Sequence, residues 1–253
     1  MKWPLFPLFV LAIAAGTLVR AQPVDLLIEA ADDAALKPLL QKLEQAQVET
    51  RAAWTFWHGT LAGKTVVLAR NEGDPLNAVA ATALAVRLHP PRLIITYGSA
   101  RAHDPALHAG DIVVSASFAA FDGMFSPHLG PGEGSRPAQW EKLPHLLMSP
   151  GEKETPAESF PADAAALSLA MTLSPAHGHV VRGVLGSANQ VNREADRVAW
   201  IHTLWHTSTE DGESAHIAGC AALLGVPVIG LRVVDAPATD AADFALRLVE
   251  AWR

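Results

Sequence analysis

Short apolar runs rich in β-branched residues alternate with amphipathic or alanine-rich stretches along this chain, a pattern typical of strands alternating with helices. The predicted strands cover 24–30, 65–69, 93–95, 111–114, a run beginning at 179, and 228–234. The predicted helices cover 32–45, a stretch ending near Leu88, 164–173, and a stretch ending at Leu224. With 253 residues, half of them hydrophobic, the chain can bury one sizeable core, so we expect a single α/β domain at 22–253.

A segment at about 123–162 interrupts this alternation. It is rich in proline and glycine, and we expect an irregular surface insertion without helix or strand. Such an insertion can either cover a pocket as a lid or move freely.

The first 21 residues have the pattern of a secretory signal peptide. Lys2 precedes an uncharged apolar run at 3–18, and Val19-Arg20-Ala21 places small residues where a signal peptidase cleaves. A membrane anchor is the alternative, but the run is short for a span and contains two prolines. We therefore expect export to the periplasm or beyond, with cleavage after Ala21 and no membrane contact afterwards.

Charge and cysteine content exclude two classes of protein. The formal charge is −7, and loss of Lys2 and Arg20 with the signal peptide would change it to −9, so nucleic-acid binding is not expected. Cys220 is the one cysteine in the sequence, which rules out an intrachain disulfide; we expect it in the core.

The segment 93–115 carries the first candidate chemistry. The apolar run 93–95 leads into Gly98-Ser99-Ala100, which predicts a turn before the next strand. Small residues at the carboxyl end of a buried strand allow backbone N–H groups to approach a ligand, although a plain connection between strands has the same composition.

Gly98-Ser99-Ala100 followed by Gly110-Asp111-Ile112-Val113-Val114 resembles the nucleoside phosphorylase and nucleosidase superfamily. Members of that superfamily carry Gly-Ser-Ala-Gly-Gly and then Gly-Asp-Ile-Val-Val; this chain has Arg101 and Ala102 at the last two glycines. The resemblance extends over 24–252. It implies a three-layer α/β/α sandwich around a mixed, mostly parallel sheet, a homo-oligomer, and a site for a purine nucleoside or thio-nucleoside with Gly98, Ser99 and Ala100 beside the sugar. We expect no cofactor and no metal.

The block at 208–227 carries the most specific match. Glu213 precedes Pro227 by the fourteen residues that separate the superfamily's second glutamate from its proline. The resemblance implies that Glu213 accepts hydrogen bonds from the ribose hydroxyls, with Asp211 at the first glutamate and Gly212 at the methionine under the sugar. An acidic residue at a helix N-terminus is the alternative for Glu213.

The resemblance also implies a general acid. Arg232-Val233-Val234-Asp235 is one residue shorter than the superfamily's Arg-x-x-Ser-Asp, so Asp235 either replaces the serine or reaches the position of the aspartate by a deletion. That aspartate protonates the purine at N7, which makes the base a better leaving group.

Further positions depart from the superfamily's pattern. Asn71 stands at a serine that contacts phosphate or the attacking water, and Asp74 and Pro75 beside it disfavour phosphate. Gln190, followed by Val191, stands at the phenylalanine that stacks on the purine, so base recognition is altered.

The water-activating glutamate of the superfamily aligns with Ala34, which cannot accept a proton. Asp32 or Asp33 can substitute through a small shift, and we take Asp33 as the candidate base; capping of the helix is the alternative.

Two histidines lie outside this resemblance. His202 and His206, one helical turn apart, have the spacing of a metal pair, but with no carboxylate beside them we expect ordinary histidines. The predicted function is that of an exported N-ribosyl hydrolase or phosphorylase acting on a purine nucleoside or thio-nucleoside, with phosphate as a candidate second ligand. The alternative is a nucleoside-binding protein on the same fold that has lost catalysis.

Overall fold

A computed structural model describes residues 21–148 and 154–253. The predicted signal peptide lies outside the described residues, apart from Ala21. In chain order the elements are β1 (Val24–Ala30), α1 (Asp33–Leu40), β2 (Glu44–Arg51), β3 (Trp54–Leu61), β4 (Lys64–Arg70), α2 (Pro75–Leu88), β5 (Pro91–Ala102), β6 (Ile112–Ala120), β7 (Met124–Phe125), a 3₁₀ turn (Pro137–Gln139), β8 (Glu141–Lys142), β9 (His145–Leu147), β10 (Thr155–Ala157), β11 (Phe160–Pro161), α3 (Ala164–Ala170), β12 (Val180–Ser187), α4 (Ala195–Trp205), β13 (Thr209–Asp211), α5 (Ser214–Leu224), β14 (Val228–Val234) and α6 (Ala238–Ala251).

Ten strands form one mixed sheet in the order β11-β6-β12-β13-β5-β1-β4-β3-β2, with β14 pairing with both β5 and β6. Parallel ladders join β1 to β4 and β5, β12 to β6 and β13, and β14 to β5. Antiparallel ladders join the remaining pairs, including the hairpins β2–β3 and β3–β4 at one edge.

Helices cover both faces of this sheet. Side chains of β1 alternate between two apolar clusters: Leu26 and Ile28 pack toward α1, α3 and α6, whereas Leu27 packs toward α2 and α5. A strand buried on both faces has a continuous apolar run, as β1 has at Leu26-Leu27-Ile28. The predicted α/β/α sandwich around a mixed sheet is confirmed.

The predicted turn at Gly98-Ser99-Ala100 is wrong, because β5 runs without a break to Ala102. β14 pairs with β5 residue by residue through Gly98, Ser99 and Ala100, and β13 pairs with Arg101 and Ala102. The backbone N–H and C=O groups of these small residues are therefore hydrogen-bonded to neighbouring strands, and the chain stays extended where a turn was predicted.

The helix predicted at 32–45 is too long. α1 ends at Leu40, and β2 begins at Glu44 and forms the sheet edge with mostly exposed side chains. The polar sequence of β2 has no hydrophobic alternation, so its conformation comes from pairing with β3 rather than from burial.

The segment predicted to be irregular also contains short strands. β7 pairs with β8, β9 pairs with β10, and β11 joins the main sheet beside β6. These strands are specified by pairing with other parts of the chain, and local composition could not predict that pairing.

Within 21–148 and 154–253, no helix combines the length and apolarity required to span a bilayer.

Candidate active site

The carboxyl ends of β5, β12, β13 and β14 surround a cleft of about 750 Å³, and the loop after β4 closes one side of it. Ligands of open α/β sheets bind at this edge, and the volume is typical of small-molecule sites. The lining residues are Gly73, Ser99, Ala100, Arg101, Ala188, Asn189, Gln190, Val191, Glu210, Asp211, Gly212, Asp235, Ala236 and Pro237.

Arg232 lies beneath this cleft and is fully buried. Its Nε donates to Asp211 Oδ2 at 2.8 Å, and its Nη2 donates to Glu213 Oε1 at 3.0 Å and to Thr96 Oγ1 at 3.2 Å. A buried guanidinium requires such partners, because an unpaired charge in the interior is costly. Arg232 therefore organises the two acidic residues and is not available to bind a ligand anion.

Asp211 is fully engaged by the protein. Its Oδ1 accepts from Ser187 Oγ at 2.6 Å and from the backbone N–H groups of Glu213 and Ser214 at 2.9 and 2.8 Å. Its Oδ2 accepts from Ser214 Oγ at 2.6 Å as well as from Arg232. These donors occupy the lone pairs of the Asp211 carboxylate, so Asp211 caps α5. The sequence had suggested that Asp211 binds substrate, but its carboxylate has no free acceptor for one.

Glu213 has a different environment. Arg232 holds Oε1, whereas Oε2 points to the loop that lines the cleft, since a Cβ built on Gly73 would lie 4.0 Å from it. Burial raises the pKa of Glu213 to about 7, with Arg232 acting in the opposite direction and Asp211 adding to the increase. Glu213 is thus a fixed carboxyl group that lies under the Gly73 loop, next to the cleft but not among its lining residues.

Asn71 positions the loop above Glu213. It is fully buried, its Oδ1 accepts from the N–H of Gly73 at 3.0 Å, and its Nδ2 has no hydrogen-bond partner within the described residues. Gly212 packs so closely under this loop that a Cβ would overlap the carbonyl oxygen of Gly73. A methionine-like side chain at Gly212 is therefore sterically excluded.

The three small residues predicted to line the sugar site lie in β5. Ser99 and Ala100 line the cleft, whereas Gly98 lies behind them, where a Cβ would be 3.8 Å from the Arg232 guanidinium. A Cβ at this distance would make only ordinary van der Waals contact, so Gly98 is neither a cleft residue nor a steric requirement of Arg232.

Gln190 and Val191 lie in the cleft wall after β12, and both are exposed.

Glu210 holds this wall in place, a role that the sequence reasoning missed. Its carboxylate accepts from the N–H and Nδ2 of Asn192 at 3.0 and 2.6 Å and lies 2.9 Å from His103 Nε2. Burial acts to raise the pKa of Glu210, but the bonds from His103 and Asn192 outweigh it and lower that pKa.

Asp235 follows β14 directly and lines the cleft with an exposed side chain. Its φ is 44°, a left-handed conformation that aspartate and asparagine tolerate better than most residues, and its N–H donates to Ala100 O at 2.9 Å. Asp235 therefore lines the same cleft as Gln190 and Val191.

Asp33 does not reach the cleft, which corrects the prediction of a catalytic base there. It is exposed in the first turn of α1 and forms an ion pair with Arg70 at 3.1 Å. Asp32 caps the same helix by accepting from the N–H of Ala35 at 2.8 Å. α1 therefore uses its acidic pair for capping and a surface ion pair.

Glu29 is a second buried carboxyl group that the sequence analysis did not single out. It is fully buried in β1, and burial raises its pKa to about 8, with the nearby Glu213 adding to the increase. Thr82 Oγ1 lies 2.9 Å from Glu29 Oε2 and 2.8 Å from the carbonyl of Ala78. Since one hydroxyl hydrogen cannot serve both acceptors, a protonated Glu29 explains this geometry. The available signal was an acid directly after the apolar run Leu26-Leu27-Ile28, in a strand whose other acid, Asp25, is only half-buried.

His202 and His206 do not form a metal pair. His202 Nδ1 lies 2.8 Å from the carbonyl of Thr207, and His206 ends α4 in a left-handed conformation with an exposed side chain. Cys220 is buried as expected, and burial raises the pKa of its thiol to about 11.

The sequence profile of the phosphorylase superfamily matches residues 25–251, nearly the whole chain. The chain belongs to this superfamily. Among phosphorylase-superfamily proteins, the 5'-methylthioadenosine/S-adenosylhomocysteine nucleosidase of Bacillus thuringiensis (strain Al Hakam) is 28% identical over 203 residues, 78% of this chain and 79% of that protein.

Two solved structures show the same superfamily fold. The 5'-methylthioadenosine/S-adenosylhomocysteine nucleosidase of Neisseria meningitidis in complex with methylthio-immucillin-A has a TM-score of 0.73 at 20% identity, over 89% of this chain and 98% of that one. The S-adenosylhomocysteine nucleosidase of Streptococcus pyogenes in complex with 5-methylthiotubericidin has a TM-score of 0.73 at 19% identity, over 91% and 98%.

Proposed function

We propose that this chain is an N-ribosyl hydrolase that cleaves the glycosidic bond of a purine nucleoside or thio-nucleoside, with methylthioadenosine-like compounds as the first substrates to test. The observation that carries the proposal is Glu213, a buried carboxyl group whose Oε1 is fixed by Arg232 at 3.0 Å and whose Oε2 points to the cleft-lining loop. A fixed carboxylate with a free oxygen is the acceptor that a ribose diol requires.

The rest of the cleft supports an assignment of subsites around Glu213. In this assignment the ribose lies over Ser99 and Ala100, the base lies along Gln190 and Val191, and Asp235 protonates the departing base. A general acid at this point lowers the barrier by making the leaving group neutral, which contributes roughly 10²–10⁴-fold. The relatives' names and the nucleoside analogues in their structures support the same substrate class.

Water is the proposed nucleophile, in preference to phosphate. Asp74 caps α2 by accepting from the N–H groups of Leu76 and Asn77 at 3.0 and 3.2 Å, so an anion cannot use this helix N-terminus. Arg232 is saturated by its partners, and Arg101 is the one cation in the described lining of the cleft. Asn71 lies behind the cleft-lining Gly73, and its Nδ2, which has no partner among the described residues, is the candidate to hold the attacking water.

A nucleoside-binding protein without catalytic activity is the second candidate. It is favoured by the position of Asp33, which leaves α1 without a carboxylate directed at the cleft. The test is to incubate the chain 22–253 with methylthioadenosine, adenosine and inosine and to measure free base by chromatography. Hydrolysis predicts base release from at least one of them; binding to the protein with no release supports the second candidate. By similarity to the superfamily we also propose a homo-oligomer, which light scattering of the same sample tests.

A further inference from the structure

A second cluster of chemistry-bearing side chains lies at the hairpin edge of the sheet and shares no residue with the cleft. Glu49 of β2, His58 of β3 and His89 at the end of α2 bring one ligand atom each to within 4.8 Å of the others. Glu49 Oε2 lies 2.9 Å from His58 Nε2 and 3.0 Å from His89 Nε2.

The backbone fixes this arrangement. His58 pairs across the hairpin with Gln47, so Glu49, two residues further along β2, lies on the same face of the sheet. His89 ends α2, with its N–H donating to the carbonyl of Ala85 at 2.7 Å. The two imidazole rings meet edge to face with centroids 4.1 Å apart. Three separate elements therefore converge on one point.

Two of the three separations between these atoms suit a small divalent metal ion, and the two histidine nitrogens lie within 4.8 Å of each other. Zinc binds histidine nitrogen and carboxylate oxygen at about 2.0–2.2 Å, so ligand atoms in a tetrahedral site lie about 3.3 Å from each other. The two distances to Glu49 Oε2 are only slightly shorter, and small rotations of the rings would admit an ion. His58 Nε2 is buried, and Glu49 Oε2 is the one polar atom beside it among the described residues, so deprotonation of this nitrogen would direct its lone pair toward an ion next to Glu49.

Arg51 completes the arrangement as the partner of the other carboxylate oxygen. Its Nη2 lies 2.6 Å from Glu49 Oε1, on the opposite side of the carboxylate from the histidines. A contact of this kind, made to the oxygen that does not bind the metal, orients a ligating carboxylate and leaves Glu49 Oε2 directed toward the two histidines. The cluster faces an open cleft of about 470 Å³, whose other lining includes the uncharged Gln22 and Gln47, so water can fill a fourth coordination position.

We propose that Glu49, His58 and His89 bind one Zn²⁺ ion, with water as the fourth ligand. Imidazole and carboxylate ligands favour zinc and its neighbours in the first transition series over Mg²⁺ and Ca²⁺, which prefer all-oxygen sites. A bound ion ties the exposed hairpin β2–β3 to the corner between α2 and β5. It would stabilise the folded chain, since the ligands converge only in that state.

The test uses untagged wild-type chain 22–253, stripped with EDTA and then equilibrated with Zn²⁺ alone. We expect one equivalent of zinc to be retained and the unfolding midpoint to rise, whereas Mg²⁺ leaves it unchanged. His58→Gln and His89→Gln should each weaken zinc binding at least tenfold, and His177→Gln, an exposed histidine outside the cluster, should not.

Co²⁺ provides a measurement that does not depend on the stability of the variants. The wild-type chain with one equivalent of Co²⁺ should show the visible absorption of a tetrahedral site, which Zn²⁺ then displaces. The proposal is overturned if no tetrahedral Co²⁺ spectrum forms, if zinc is not retained by the wild-type chain, or if His177→Gln reduces zinc affinity as much as His58→Gln does.

Discussion

Arg232 Nη2 donates to Glu213 Oε1 at 3.0 Å, and the Arg232 side chain is fully buried. Arg232 also holds Asp211, which caps the helix that begins at Ser214. One buried cation therefore connects the end of β14 to the start of α5 and fixes the orientation of the Glu213 carboxyl group. The proposed ribose site depends on this orientation, because a mobile carboxylate would lose entropy on binding a diol.

The first prediction concerns Asp235→Asn. Asparagine tolerates the left-handed backbone at this position and can hydrogen-bond to the base, but it cannot donate a proton to it. We expect base release to fall roughly 10²–10⁴-fold while the dissociation constant for nucleoside changes little. Single-turnover release and equilibrium binding measure the two quantities separately. Unchanged release would remove Asp235 from the proposed mechanism.

The second prediction concerns phosphate. Because Asp74 occupies the start of α2 and Arg232 is saturated, added phosphate should leave the rate of base release within about twofold of a sulfate control at equal ionic strength. A tenfold acceleration corresponds to about 1.4 kcal/mol of transition-state stabilisation and would identify a phosphorylase instead.

The third prediction concerns Glu29 and pH. Its pKa is raised to about 8 in the folded chain, well above the ordinary value of 4.5, so the folded state binds the extra proton between these values. Stability should therefore be lost as pH rises from about 4.5 to 8, at a slope of up to about 1.4 kcal/mol per pH unit.

Glu29→Gln keeps the size of the side chain and cannot ionise. Its unfolding midpoint should become higher relative to wild type as pH rises from 5 to 8. Glu250→Gln, on the exposed face of α6, is the matched control and should follow wild type. Parallel curves for wild type and Glu29→Gln would show that Glu29 does not carry the proton.

The fourth prediction concerns export. Lys2, the apolar run 3–18 and Val19-Arg20-Ala21 predict that the mature chain begins at Gln22. N-terminal sequencing of the protein from the extracytoplasmic fraction of a bacterial host checks this. Recovery there of a chain that begins at Met1 would contradict it.

The sequence predicted those features that depend on local pattern. The strands β1 and β14 are mostly apolar, which fits burial on both faces, and the spacing from Glu213 to Pro227 placed an acid at the start of α5. Asp32 as a helix cap was one of the alternatives that the residues themselves allowed.

Features that depend on distant partners could not be predicted. β5 continues through Gly98 because β14, more than a hundred residues later, pairs with it. Asp211 resembled a substrate ligand, but its oxygens are occupied by Ser187, Ser214 and Arg232, which only the folded chain brings together. Glu29 is one acid in an apolar strand, and its burial beside Glu213 follows from the packing of α2 and α5.

The most direct test of the central claim compares Glu213→Gln with wild type for binding and cleavage of methylthioadenosine. Glutamine retains an oxygen for Arg232 but removes the charge offered to the ribose, and hydrogen bonds to charged groups contribute about 1.5–3 kcal/mol. We therefore predict affinity and base release lower by about 10- to 150-fold, with Glu250→Gln unchanged. Wild-type affinity and turnover in a folded Glu213→Gln variant would contradict the account.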